Sequence, residues 1–440
     1  MKKIRGIITM LLLIGSLTAC SGTSDEQSGA GDETGTETFR IYSLKDEYMV
    51  RQAASLFQGK YPDLEVVYEV GYTGEDGVTI SDAIRTLNTE LMSGNGPDVL
   101  VLDGLPADQY VEKGILEDVT ELLEPEKDAL FYNIITASNS AEQIYQVPTS
   151  FMIPILAGNA EVVSAGNIDN LVQSLETGFS AGIPAVKQNV FSTAAGNLIV
   201  TSGIMSDQIN EDELARLFEN LGKIADLSFS AEERQNVEDW MKVKHWADAY
   251  PTSSGDSTIE LYYNEVQTEV TQLTHEMSFV CLNSLCIQSE KEYRHLNFDS
   301  GNYFIPYVMF GLNHSGSHLE VAEDFLTYYL SKVYLTPGSG SGLSITRENL
   351  ISDECATGEI IENGISKKED PSQGMDIYML TPEDCERFEQ FIEELDTPVA
   401  YDAVLMELIA EQLDAYIFDG KDLQDAVQEV CGKAKLYMSE

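Results

Sequence analysis

The chain has 440 residues, 43% hydrophobic and 23% charged, the composition of a soluble globular protein too long for one ordinary core. Its formal charge is −48, and leaving out the first twenty residues, which hold three bases and no acid, takes it to −51. A field of that sign repels phosphate backbones, so nucleic acid is excluded as an expected partner, while the acidity itself says nothing about a ligand.

Lys2, Lys3 and Arg5 form a basic start, Gly6 to Leu17 an apolar core, and Leu17-Thr18-Ala19-Cys20 resembles the bacterial lipobox. That resemblance implies a signal peptide at 1–19 and a thioether-linked lipid with an acylated terminus at Cys20. The alternative is an uncleaved membrane helix, but the apolar core is shorter than the ~20 residues that span a bilayer. No later stretch is apolar for long enough to span. Membrane association is therefore expected through lipid only, at the extracellular face. Residues 20–37 are polar and small and read as a flexible tether.

Phe39 to Leu44 reads as the first strand and Asp46 to Gln58 as a helix with Met49, Val50, Ala53 and Phe57 on one face. Leu64 to Val70 is a second strand, and a second helix runs from about Thr79 to Ser93, closed by Gly94. Val99 to Leu102 is an apolar run without alternation, which suits a strand covered on both faces. Asp103 and Gly104 end it, and Pro106 can open the next helix. The order strand, helix, strand, helix, strand means parallel strands with right-handed crossovers. Ser43, Tyr72 and Asp103 then share the carboxyl edge, where open α/β sheets hold ligands.

FRIYSLKDEYMVRQAASLFQGKYPDLEVV at 39–67, followed by ELMSGNGPDVLVLDGLPADQYVEKGILEDVTELL at 90–123, resembles the opening of a family 1 extracellular solute-binding protein. Maltose-binding protein is a familiar member of that family. YQVPTSFMIPILAGN at 145–159 is similar to the family's first interlobe crossover. GLNHSGSHLEVAEDFLTYYLSK at 311–332 is similar to its return segment, and GLSITRENL at 342–350 also matches. IAEQLDAYIFDGKDLQDAVQEV through YMSE resembles the terminal helices of such lipoproteins from Gram-positive bacteria. The resemblance implies an α/β, two-lobed periplasmic-binding-protein-like fold, each lobe a mainly parallel sheet flanked by helices, with crossovers near 147–152, 303–310 and 348–354. It assigns 38–148 plus 306–350 to an amino-terminal lobe and 149–305 plus 351–440 to a carboxyl-terminal lobe. It further implies a monomeric receptor that delivers a small solute, a sugar or oligosaccharide, to an ABC permease.

The middle of the chain is less distinctive. Ser230-Ala231-Glu232-Glu233 is a capping box, and Val237, Trp240, Met241, Val243 and Ala247 suggest one helix with Trp240 on its buried side. Trp246 falls off that stripe, before the loop at 250–255, and reads equally as binding residue or core. Met277 to Leu282 reads as a strand ending at Asn283. The family often places a sugar-stacking Trp just after this strand, where this chain has Leu285 and Cys286. Ser317 with Glu320 reads as the cap of the following helix, and the nearby His314 and His318 as a solvated turn rather than a metal site. Of Cys281, Cys286, Cys355, Cys385 and Cys431, most read as small buried hydrophobes, with a Cys281 to Cys286 disulfide left open.

Metalloprotease, nucleophile-elbow and phosphate-loop motifs are missing, and Gly338 to Gly342 lacks the central serine of the second pattern. No catalytic residue, metal or cofactor is assigned. A surface-anchored hydrolase and a passive surface scaffold remain the competing readings. For a sugar receptor, Tyr72, Trp246 and Tyr307 supply aromatic faces, while Ser43, Asp103, Ser150 and Asn283 supply polar contacts. Tyr61 and Tyr68 read as structural. Asp103 is weighed equally as ligand contact and as turn or helix-cap residue.

Overall fold

The computed structural model describes residues 37–438 except 75–76, 141, 181, 206–208, 250–256, 299–300, 332–341, 368–369 and 400. The expected leader, Cys20, the tether up to 36, the 250–255 loop and the 338–341 run lie outside the described residues. β1 (Glu37–Ser43) pairs in parallel with β2 (Leu64–Val70) and β3 (Val99–Val101). The intervening helices, Tyr48–Phe57 and Ile80–Met92, make the crossovers expected from the sequence. Thr79 and Asp82 form a reciprocal capping box that starts the second of these, and Gly94 at φ +74° follows its end.

The apolar run at 99–102 is explained by its two sides. Val99 and Val101 join the main core with Phe39 and Ile41, while Leu100 and Leu102 join a second cluster with Tyr42, Leu44, Ile84 and Leu87. Alternate side chains leave a strand on opposite faces, so both faces must be apolar when both are covered.

β4 (Val147–Gly158) is buried along its whole length. Its first half pairs antiparallel with β7 (Tyr303–Leu312), with β8 (Leu343–Ser344) on its other side. Its second half lies between β5 (Thr268–Leu273) and β6 (Glu292–His295), again antiparallel to both. β7 also pairs with β3, so β4 and β7 join two sheet regions. The parallel pairing expected of both regions is found in β1 to β3; around β4 the pairing is antiparallel, because β5 and β6 run against the single long strand they flank. By its contacts, the chain from Glu37 onward groups into one unit.

Three local expectations are corrected. The segment expected to be a strand at 277–282 is the helix Glu276–Gln288, capped by His275, whose ring nitrogen accepts from Ser278 N–H. Burial on both sides removes the amphipathic period that would have marked it, and a short apolar run is then ambiguous. The expected helix after Ser230 stops at Gln235 and gives way to a short 3₁₀ turn before the helix Val243–Ala249. Ser317 does not cap the next helix, Leu319–Tyr329; His318 stands at that position without a side-chain cap. All five cysteines from Cys281 to Cys431 are free thiols.

Candidate functional site

The carboxyl ends of β1 and β3 meet the middle of β7. Leu102 continues the ladder by donating to the Met309 carbonyl at 2.6 Å, and Asp103 then departs from it. Its carboxylate accepts the Val308 N–H at 3.0 Å and the Met309 N–H at 2.8 Å. Val308 has φ +46°, a conformation unfavourable for a β-branched residue. Such strain costs on the order of 1–3 kcal/mol and persists where surrounding bonds over-determine it. Here Asp103 holds the amides and the Thr149 hydroxyl donates to the Val308 carbonyl at 3.0 Å. Asp103 is therefore not the cap of the helix Ala107–Glu112, whose leading residue is Pro106.

Two neighbours complete the edge. Tyr307 donates its hydroxyl to the Glu47 carboxylate at 2.6 Å, while the Glu47 N–H donates to the Tyr68 hydroxyl at 2.7 Å. Ser150 Oγ donates to the Tyr307 carbonyl at 3.2 Å. Glu47 and Asp103 are each half-buried. Burial, then the nearby Asp103 charge, pushes the Glu47 carboxyl up to about 8. Burial pushes Asp103 up to about 7, against the lowering effect of its backbone donors. Lys45 turns away from these acids: its ammonium donates to the Ala247 and Asp248 carbonyls, at 3.3 and 2.9 Å, near the end of the helix Val243–Ala249. Burial lowers its pKa. Tyr401 donates to the same Ala247 carbonyl at 3.4 Å, and its ring and Ala403 lie over Gly104, where an added Cβ would come within 3.1 Å of Ala403. The left-handed Gly104, φ +75°, allows this close approach.

The structure thus brings Ser43, Asp103, Ser150 and Tyr307 to one edge, with Tyr72 beside them through its N–H to the Leu44 carbonyl. Ser43 Oγ is already engaged by the Lys45 carbonyl. Trp246 and Asn283 are placed elsewhere. Trp246 is fully buried, lying flat against Gly196, where a Cβ would come within 2.3 Å of its ring; it is a core residue, while Trp240 is 42% exposed. The stripe that put Trp240 in the core and left Trp246 open assumed one continuous helix, and the break after Gln235 resets the phase. Asn283 sits on a helix of the second sheet region, its Oδ1 accepting from Arg387 at 2.8 Å. Lys45, Glu47 and Tyr401 were missed, while Tyr68, read as structural, accepts the Glu47 N–H. The first two follow the end of β1, so the strand-end argument that selected Asp103 also applied to them.

A family model described as bacterial extracellular solute-binding protein matches residues 42–334, more than half of the chain. The chain belongs to this family. The family binds solutes outside the cytoplasm, its fold is two-lobed α/β, and its members are binding proteins rather than catalysts. A Streptococcus pneumoniae solute-binding protein in complex with the blood group A-trisaccharide is similar at TM-score 0.50 and 12% identity, over 91% of this chain and 100% of that one. The galacto-N-biose/lacto-N-biose I-binding protein of Bifidobacterium longum gives 0.49 and 13%, over 93% and 98%. Maltose-bound MalE3 of T. maritima gives 0.47 and 14%, over 91% and 99%. A search of curated sequences finds no matching relative. Among the described residues no helix is long and apolar enough to cross a membrane, and none form a cluster of three or more metal ligands.

Proposed function

We propose that this solute-binding protein captures a sugar or oligosaccharide in the cleft between its lobes and delivers it to an ABC permease, while anchored through lipid at Cys20. The observation that carries the reading is the edge where Asp103 braces the strained Val308 of β7 beside Glu47 and Tyr307. Backbone strain held by buried polar bonds is characteristic of ligand clamps. That edge also offers the carboxylate and phenol groups that pair with sugar hydroxyls. Membership of the family supports the importer role, and the pneumococcal protein's trisaccharide illustrates a ligand of this class.

The connections support closure. β4 and β7 are the paired strands between the lobes 38–148 plus 306–350 and 149–305 plus 351–440, and small changes in their twist would move one lobe against the other. Lys45 reaches from the end of β1 to the carbonyls at 247–248, a contact that a moving lobe must break or remake. The ligand contacts are Asp103, Glu47, Tyr307, Tyr72, Ser43 and Ser150.

A thermal-shift screen against sugars, oligosaccharides, peptides and polyols identifies the ligand, and small-angle scattering with a hit should show a smaller radius of gyration. A tight, saturating ligand that leaves the radius unchanged overturns hinge closure. Mass spectrometry of the mature terminus tests the anchor: an intact Met1, or a terminus other than Cys20, removes that part of the proposal.

A further inference from the structure

A recess lies at the far end of β4. Gly158, the last residue of that strand, pairs with Thr268 and Glu292, and the helix ends at 262–264 and 288–291 line the recess together with Asn159. The recess measures about 610 Å³, inside the 300–1,000 Å³ typical of small-molecule sites. Along β4, Gly158 is eight residues beyond Ser150, or roughly 26 Å at about 3.3 Å per residue, so this is not part of the cleft edge.

The walls of the recess are held in place by bonds of their own. Tyr263 donates its hydroxyl to the Gly374 carbonyl at 2.9 Å, and the Lys367 ammonium sits 4.8 Å from its ring centroid. Gln288 exchanges two hydrogen bonds with the Asp376 backbone, at 2.7 and 3.3 Å. Lys291 donates to Asn264 Oδ1 at 2.8 Å, which fixes the amide so that its NH₂ is left to donate. Tyr262 stands edge-on to Tyr263, ring centroids 5.0 Å apart at 80°, which makes a corner of two aromatic walls. Among the described residues, the Tyr262 hydroxyl and the Glu290 carboxylate make no hydrogen bond or ion pair.

The groups not consumed by the protein therefore comprise an aromatic face, a phenol, an amide NH₂ and a carboxylate, on a rigid frame. That set matches a neutral sugar: the ring face covers pyranose C–H groups, while amide and carboxylate take up neighbouring hydroxyls from opposite sides. It does not suit phosphate, because Glu290 offsets Lys291 and the chain carries a formal charge of −48. We propose that this recess is a second, peripheral carbohydrate site, which holds one or two residues of a neutral glycan on the outside of the second lobe. Such a site raises the local concentration of oligosaccharide at the protein without entering the cleft. The inference does not rest on the cleft reading.

Hydrogen exchange of the whole chain, read by mass spectrometry, tests it with maltotriose, cellotriose and N-acetyllactosamine at millimolar concentration. At least one should slow exchange in the segments around 262–264 and 288–291. Tyr262→Ala and, as a variant that leaves the packing intact, Glu290→Gln should each abolish that slowing. The proposal is overturned if none of the three sugars protects these segments, or if protection survives both variants. Protection confined to segments around 43–47, 103 and 307–309 supports the cleft reading and overturns this one.

Discussion

Asp103 and Asp414 do the same job in two different places. Each carboxylate accepts two consecutive backbone N–H groups, Asp103 from Val308 and Met309, Asp414 from Val243 and Lys244. Each is pushed up by burial, to about 7 and about 6. Asp414 lies inside the helical layer, where it caps the start of the helix that carries Trp246, and its amides belong to a regular helix turn. Asp103 lies at a partly exposed edge, its amides belong to a strand with a left-handed valine, and a second carboxyl, Glu47, stands near it. The same bonding pattern is structural in a closed interior and becomes a candidate recognition device where solvent, strain and a second titratable group meet.

The sharpest way to test that contrast is on the interior side. Trp246→Ala removes a fully buried ring and should lower stability by about 3–5 kcal/mol in denaturant unfolding, with unchanged ligand affinity per folded molecule. A large change in affinity at preserved stability would break the division between core and edge. Asp103→Ala should act on both sides of the comparison. Its loss leaves two amides unsatisfied at about 1–3 kcal/mol each, and should weaken binding about ten-fold or more through the lost charge-assisted contact. Asp414→Ala, by contrast, should lower stability while leaving affinity intact. Unchanged affinity in Asp103→Ala would make the two aspartates equivalent and remove the ligand role.

A smaller effect concerns pH. The folded pKa values of Glu47 and Asp103 lie above the ordinary carboxylate range, so the stability they contribute is fully present at acidic pH and is lost as pH rises through about 7 to 8. The melting temperature of the unliganded protein should fall between pH 5 and pH 8. Carboxylates held low by partners, such as Asp169 and Glu429, stay ionised across that window and do not contribute to the fall. Glu47→Gln should flatten the slope; an unaltered slope would show that Glu47 does not titrate there. The smallest effect is expected at Trp240→Ala, within about 0.5 kcal/mol, because that ring is on the surface.

The parallel β1–β3 unit, its helices and the polar edge at Ser43 and Asp103 follow from periodicity and breakers, which act within a few residues of each other. The roles of Trp240 and Trp246 did not, since a single break at Asn236 changes which side of the chain faces inward. The helix at 276–288 was hidden because its consecutive buried residues Phe279 to Leu285 show no helical period, Phe279 being stacked on Phe388 at 4.0 Å. By itself the amino-acid order determined the class of fold, the family likeness and the strand-end edge, since local patterning and loop chemistry encode these. Only the tertiary structure decided what Asp103 grips, because Val308 lies 205 residues further along the chain and no local spacing links a strand end to the backbone of a returning strand.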